Sequence, residues 1–239
     1  MSFLKAEWRK LAMANYEIDP EILKKYVPFG TELDLWGNKC YVSLVGLIFL
    51  NTSLLGFKIP FHVNFPEINL RFYVKRYINN ECKRGVVFIK EIVPKYAISF
   101  FANTIYKENY ETYKMNYSFE ENDLIQHISY NWEKNNLLNS FIINSFNYLK
   151  EINLDSEIEF FIERYWGYSK FQNFKTYEYE VKHPTWKFFD IKDFKIDVHF
   201  EDVYGKEFGF LKNNKPYSVF LLEGSKVTVE SKSVIEKNV

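Results

Sequence analysis

Between residues 67 and 93 the chain reads EINLRFYVKRYI, then the polar NNECKRG, then VVFIKEIV. The first run alternates with period two. Ile68, Leu70, Phe72 and Val74 fall on one face, and Glu67, Asn69, Arg71, Tyr73 and Lys75 on the other. The polar stretch reads as a turn, so the two runs form a long hairpin. The second run is apolar on both faces, so neither is freely solvated. Strict alternation puts Val86, Phe88, Lys90 and Ile92 on one side and Val87, Ile89, Glu91 and Val93 on the other. Lys90 and Glu91 therefore point in opposite directions, and at least one sits among apolar neighbours. A charge removed from water costs several kcal/mol unless it finds a partner. Across the hairpin the partners on offer are Glu67 and Arg71, as Lys90–Glu67 or Glu91–Arg71. Such a pair can be purely structural. A cluster of Glu, Asn, Arg and Tyr inside a curved sheet is also how a ligand cavity is lined.

Alternation recurs along the chain. KCYVSLVGLIFL reads as a strand, and SLLGFKIPFHVNF as a turn and bent connection. YKMNYSFEENDLIQHISYNW alternates around a turn at Glu120 to Asp123, and TYEYEVKHPTWKFFDIKDFKIDVHF alternates again. YSVFLLEGSKVTVES reads as two strands about a Glu223-Gly224-Ser225 turn. The helices are few. Asp19 caps one that begins at Pro20. Ile98, Phe101, Ala102 and Ile105 share a helix face. Ser156 with Glu159 forms a capping box, and Arg164 and Tyr168 stand at helical i, i+4 spacing. The first segment alternates poorly and reads as short helix or coil, LLNSFIINSFNYL as a loop, and the tail from Lys232 as frayed. The expectation is a single domain over residues 1–239, mainly β (α+β). A large curved antiparallel sheet closes into a barrel- or cone-like cavity, with a few short helices packed outside.

The bulk numbers narrow the function. The 31 Lys and Arg balance the 31 Asp and Glu, so no basic excess points to nucleic acid. Hydrophobic residues make up 47%, which excludes a disordered chain. The most apolar run, YVSLVGLIFLNTSLLGF, is broken by Ser43, Asn51, Thr52 and Ser53, whereas a membrane span needs roughly 20 predominantly apolar residues. The start lacks the apolar core of a signal peptide. Two cysteines, Cys40 and Cys82, and four scattered histidines offer no metal-ligand spacing. No Gly-rich phosphate loop or nucleophile elbow is present. A cytoplasmic protein without metal or cofactor is expected, with a small-molecule ligand as partner and homo-oligomerisation left open.

Two further residues invite a chemical role. Lys95 follows Pro94 beside Tyr96 and Ala97, and a desolvated lysine can lose its charge and attack a carbonyl. An exposed loop position is the plainer alternative. His62, in IPFHVNFPE, stands as a cavity-rim group or as a hydrogen-bonded structural residue.

WRKLAMANYEIDPEIL, VPFGTELDLWGNKCYVSLVGLIF, IPFHVNFPEINLRFYV, RGVVFIKEIVPKYAISFFAN and FLLEGSKVTV together resemble the YqjF-like proteins, a bacterial domain-of-unknown-function family. The resemblance runs from about Trp8 to about Val229. That family is similar to the acetoacetate decarboxylase superfamily. The resemblance implies a mainly β fold with an internal cavity, a Schiff-base lysine after a proline, and a pocket glutamate near a strand start. Pro94-Lys95 resembles the first pattern and Glu67 in FPEINL the second. The decarboxylases carry a second lysine next, where this chain has Tyr96.

Three functions are carried forward. The favoured one is binding of a small anionic molecule in a β-barrel cavity lined by Glu67, Asn69, Arg71, Tyr73, Lys90, Glu91 and His62, with Arg71 holding the anion. The second is a Schiff-base or acid/base enzyme on a keto-acid-like substrate, with Lys95 and Glu67 as catalytic groups and Glu91 as an alternative proton carrier. The third is a structural or interaction protein without a ligand.

Overall fold

The computed structural model describes residues 2–237, and strands dominate it. In chain order they are β1 (Ser2–Ile18), β2 (Glu32–Leu33), β3 (Cys40–Leu54), β4 (Phe65–Ile78), β5 (Glu81–Val93), β6 (Tyr110–Thr112), β7 (Lys114–Glu121), β8 (Ile125–Lys134), β9 (Leu137–Lys150), β10 (Trp166–Gln172), β11 (Lys175–Lys182), β12 (Phe188–Asp197), β13 (Ser218–Glu230) and β14 (Ser233–Glu236). The α-helices are α1 (Pro20–Leu23), α2 (Tyr96–Ile105), α3 (Glu157–Ile162) and α4 (Phe200–Tyr204). None among the described residues is long and apolar enough to cross a membrane.

The sheet closes on itself through hydrogen bonds, in the order β11, β10, β5, β4, β3, β1, β13 and back to β11. Closure rests on two short pairings. Strands β5 and β10 run parallel at Gly85 and Val86, and β11 meets β13 at Val181 and Lys182. From β13 the sheet continues outward through β12, β9, β8 and β7. One apolar cluster packs that extension, with Tyr130, Trp132 and Phe141, against Val42, Leu44, Leu70 and Phe72 on the outside of the ring. A second cluster lies on the opposite face, with Met13, Val45, Phe49, Tyr73 and Val86 packed on Phe160 and Phe161 of α3. Strands β3 and β4 are thus covered on both sides. The polar face of β4, although it alternates like a wetted strand, is dry.

Local signals survive where they are self-contained. Asp19 accepts from the Glu21 amide at 2.9 Å, and Ser156 from the Glu159 amide at 3.3 Å. The β4–β5 hairpin turns at Asn79 and Asn80, both at positive φ, as its polar composition requires. Helix α2 also forms where its apolar spacing places it.

Five expectations are corrected. The first segment is a 17-residue strand in the ring, because tertiary pairing with β3 and β13 overrides its weak pattern. Residues 137–150 form β9, not a loop, held between β8 and β12. Helix α3 stops at Ile162, so Arg164 lies in the following turn and Tyr168 on β10; they share no helix face. Within the tail, residues 233–236 pair with β11, while residues 238 and 239 lie outside the described residues. Finally, Gly224 does not turn the chain. Strand β13 runs straight through it, opposite Arg9. Its φ of +80° and its closeness to β1 are what demand glycine, since a Cβ there would lie 2.0 Å from the Trp8 carbonyl oxygen.

Replacing Gly224 with alanine therefore adds a backbone clash and left-handed strain, at a combined cost of about 3 kcal/mol. The melting temperature should fall by roughly 6–12 °C. An unchanged melt would show that β1 and β13 have room to separate.

Candidate active site

Every strand of the ring sends side chains into one pocket of about 190 Å³. Leu4, Trp8 and Leu11 come from β1, Leu47 and Phe49 from β3, Phe88 from β5, Trp166 from β10 and Val229 from β13. Ala97, Ile98, Phe101 and Ala102 of α2 form one wall. Most of the lining is apolar, and the polar groups gather on β4, β5, β11 and the segment after α2.

The position of Glu91 depends on a backbone irregularity. Leu70 pairs with Lys90, whereas Arg71 pairs with Phe88, so Ile89 is an extra residue bulged out of the ladder. Asn109 secures the bulge: its side-chain amide donates to the Ile89 carbonyl at 2.6 Å, and its own carbonyl accepts from the Glu91 amide at 3.0 Å. The bulge reverses the alternation. Val86 and Phe88 before it share the inner face with Glu91 and Val93 after it. Lys90 goes outward, where it pairs with Glu111 at 2.6 Å and donates to the Val203 carbonyl at 2.7 Å. Neither pairing offered by the sequence forms. Lys90 and Glu91, adjacent in sequence, serve different sides of one wall.

Inside the pocket Glu91 meets Glu67 and Glu108. Glu67 and Glu91 are each 3% exposed, and Glu108 is half-buried. Asn69 donates to Glu67 Oε1 at 2.9 Å, and the Tyr110 hydroxyl donates to Oε2 at 3.0 Å. The Tyr179 hydroxyl donates to Glu108 Oε1 at 2.7 Å. Burial pushes Glu67 up to about 7, against the opposing pull of Asn69, Tyr110 and Arg71. Glu108 is pushed up to about 8 by burial, with Glu67 adding to it and Tyr179 opposing. Glu91 is raised well above the usual carboxylate range, first by burial and then by the charges of Glu108 and Glu67. Glu67 and Glu108 can hold or release a proton near neutral pH. Among the described residues, no group of three or more His, Cys, Asp or Glu is placed to hold a metal ion.

Arg71 lies two residues beyond Asn69 on the same face and is 7% exposed. Its polar contact within the protein is a long one, Nη2 to the Phe161 carbonyl at 3.5 Å, and its Nε has no partner. Arg164 also reaches the lining, but it is ion-paired with the buried Asp34, which Arg84 holds from the other side at 2.8 Å. Burial alone would push the Asp34 carboxyl up; the two guanidinium groups outweigh it and hold it below the usual range.

Of the residues proposed from sequence, Glu67, Asn69, Arg71, Glu91 and His62 line the pocket. His62 sits in the bent connection before β4, with Nδ1 2.8 Å from the Pro60 carbonyl. Tyr73 lies behind the lining, its hydroxyl 2.5 Å from Ser43 Oγ. Lys90 faces away. Lys95 is half-buried at the N-cap of α2, and no lysine is among the lining residues. Sequence reasoning missed Glu108, Tyr110 and Tyr179. The period-two spacing of Glu108 and Tyr110 was a usable signal, since both bond the cluster. Tyr179 carried none, because its place depends on how the ring closes.

The family model DUF2071, described as an uncharacterized conserved protein, matches residues 5–226. No curated protein matches the chain significantly. Among solved structures, the enduracididine biosynthesis enzyme MppR, complexed with the condensation product of pyruvate and imidazole 4-carboxaldehyde, superposes with a TM-score of 0.68. Its identity is 8%, over 99% of this chain and 90% of that one. An acetoacetate decarboxylase from Legionella pneumophila gives 0.64 at 14% identity, over 98% and 87%. An acetoacetate decarboxylase-like enzyme from Sphingomonas wittichii gives 0.66 at 8%, over 100% and 95%. At these identities the likeness shows the fold alone, and the expected acetoacetate decarboxylase-like fold is present.

The raised carboxyls make stability depend on pH. The folded chain keeps protons that the unfolded chain releases above about 4.5. Stability is therefore full below that value and declines as pH rises toward 7 and 8, through the folded values of Glu67 and Glu108. Denaturant titrations across this window should show that decline, and Glu67→Gln should flatten it. A variant with the parent's slope would mean Glu67 ionises freely.

Proposed function

We propose, from the premise that this chain belongs to the DUF2071 family and has the acetoacetate decarboxylase-like fold, that its ring pocket binds a small organic acid at Arg71. One observation carries this reading: a guanidinium buried on the pocket wall, with a free Nε and no ion pair among the described residues. A buried charge without a counterion is costly, and a carboxylate is the anion whose geometry matches the guanidinium edge. The apolar remainder of the pocket suits a short hydrocarbon body. An engineered cavity of 150 Å³ takes up benzene, so about 190 Å³ holds a molecule slightly larger. The structural relative MppR is described in complex with a product of pyruvate, which fits an organic acid as ligand of this fold.

A second reading, acid/base catalysis on such an acid, is favoured by the position of Glu67. A carboxyl pushed up to about 7 carries a proton or accepts one with equal ease at neutral pH. A Schiff-base route through Lys95 has less support, because no lysine lines the pocket.

Calorimetric titration with pentanoate tests the first reading. Arg71→Met should weaken binding at least about tenfold, the loss of one charge-assisted contact. Equal affinity in parent and variant would remove Arg71 from the site. The second reading is tested by proton NMR of 2-oxopentanoate in deuterated water. The parent should exchange the hydrogens beside the ketone, and Glu67→Gln should slow that exchange by about a hundredfold. No exchange above the buffer rate would leave a binding protein.

A further inference from the structure

The pocket gathers more acidic groups than basic ones. Three carboxyl groups, Glu67, Glu91 and Glu108, face one guanidinium, Arg71, that lacks an ion pair. Arg164 has its charge met by Asp34, although its Nε and Nη2 are without hydrogen-bond partners. Among the groups packed around the cluster, Tyr110 and Tyr179 are neutral donors. Tyr106 is engaged with the Glu230 carbonyl, and His62 with the Pro60 carbonyl. Beside the cluster, the oxygens Glu91 Oε2 and Asn69 Oδ1 have no partners, on residues each 3% exposed. They stand opposite each other in the β4–β5 ladder. The Asn69 amide is oriented by its donation to Glu67, so its oxygen is the atom left over. Buried acceptors of this kind are rare in folded proteins and ask for a donor.

From these orphan acceptors and the surplus of carboxyls we infer that the ligand carries a protonated amine as well as an acid group, and that Glu91, Asn69 and Glu67 receive the amine while Arg71 receives the acid. This rests on the organic-acid reading above and narrows it to amino acids and related zwitterions. An ammonium group offers three donors and no acceptor. It bonds both orphan oxygens, and its charge is met by the carboxyls, which ionise beside it. Asn69 and Arg71 are two residues apart on one strand face, about 6.6 Å by strand rise, so the ligand's charges lie several ångströms apart. Binding also moves protons. The carboxyls hold protons in the empty pocket; an ammonium beside them favours the ionised form, so protons leave for the buffer.

The test uses one five-carbon skeleton: pentanoate, norvaline, 5-aminopentanoate and pentylamine, titrated calorimetrically in two buffers of different ionisation enthalpy. We expect 5-aminopentanoate to bind at least about tenfold tighter than pentanoate, one charge-assisted contact, with net proton release. In Glu91→Gln the ratio of the two affinities should collapse toward one. Glu67→Gln, at another of the groups that receive the amine, should reduce the ratio even if Glu91→Gln folds poorly. Pentanoate matching or exceeding both amino derivatives would overturn the amine site and leave the organic-acid reading standing. Pentylamine binding as tightly as 5-aminopentanoate would remove the acid contact, and with it both readings. Binding by none of the four would likewise overturn both.

Discussion

Strand β5 has to be dry on both faces while carrying Lys90 and Glu91 side by side. The bulge at Ile89 is the physical solution, and the pocket depends on it. One extra residue shifts the alternation, so the inward row changes from even to odd numbers within a single strand. Without it, Phe88 and Lys90 would share the inner face, and a lysine would stand where Glu91 now stands. The bulge leaves one carbonyl out of the ladder, and Asn109 bonds it. The segment that supplies Glu108 and Tyr110 is thereby fastened to the strand that supplies Glu91.

Ring closure does the rest. Every strand in the ring has a pocket-facing row, so the interior receives residues distant in sequence. The outward rows are covered by the β7–β9 extension and by α4, which keeps both faces of β3 and β4 out of water. In such surroundings electrostatics are severe. The Lys90–Glu111 and Arg164–Asp34 pairs each satisfy a positive charge at the wall. Glu67, Glu91, Glu108 and Arg71 are not paired in this way. Buried ionisable groups left unpaired are costly, and the carboxyls respond by holding their protons to higher pH.

Much of this was legible in residues 67–93. Alternation is a local property, and it gave the β4–β5 hairpin and the row Glu67, Asn69, Arg71. Self-contained capping signals, such as Asp19 before Pro20, were equally readable. The family resemblance extended that reading to the fold. Elements without a strong local pattern were not readable. Strand β1 is held by two neighbours distant in sequence, and Gly224 looks like a turn until β1 is seen against it.

The amino-acid order by itself determined a chain dominated by strands, a polar row on β4, and a lysine–glutamate pair that could not both stay in water. It did so because side-chain periodicity and turn chemistry act over a few residues. Which of the two charges faced the interior, and that Glu108, Tyr110 and Tyr179 would meet it there, was decided by the tertiary structure alone. A bulge and a closed ring are properties of paired strands, and pairing partners lie tens of residues apart.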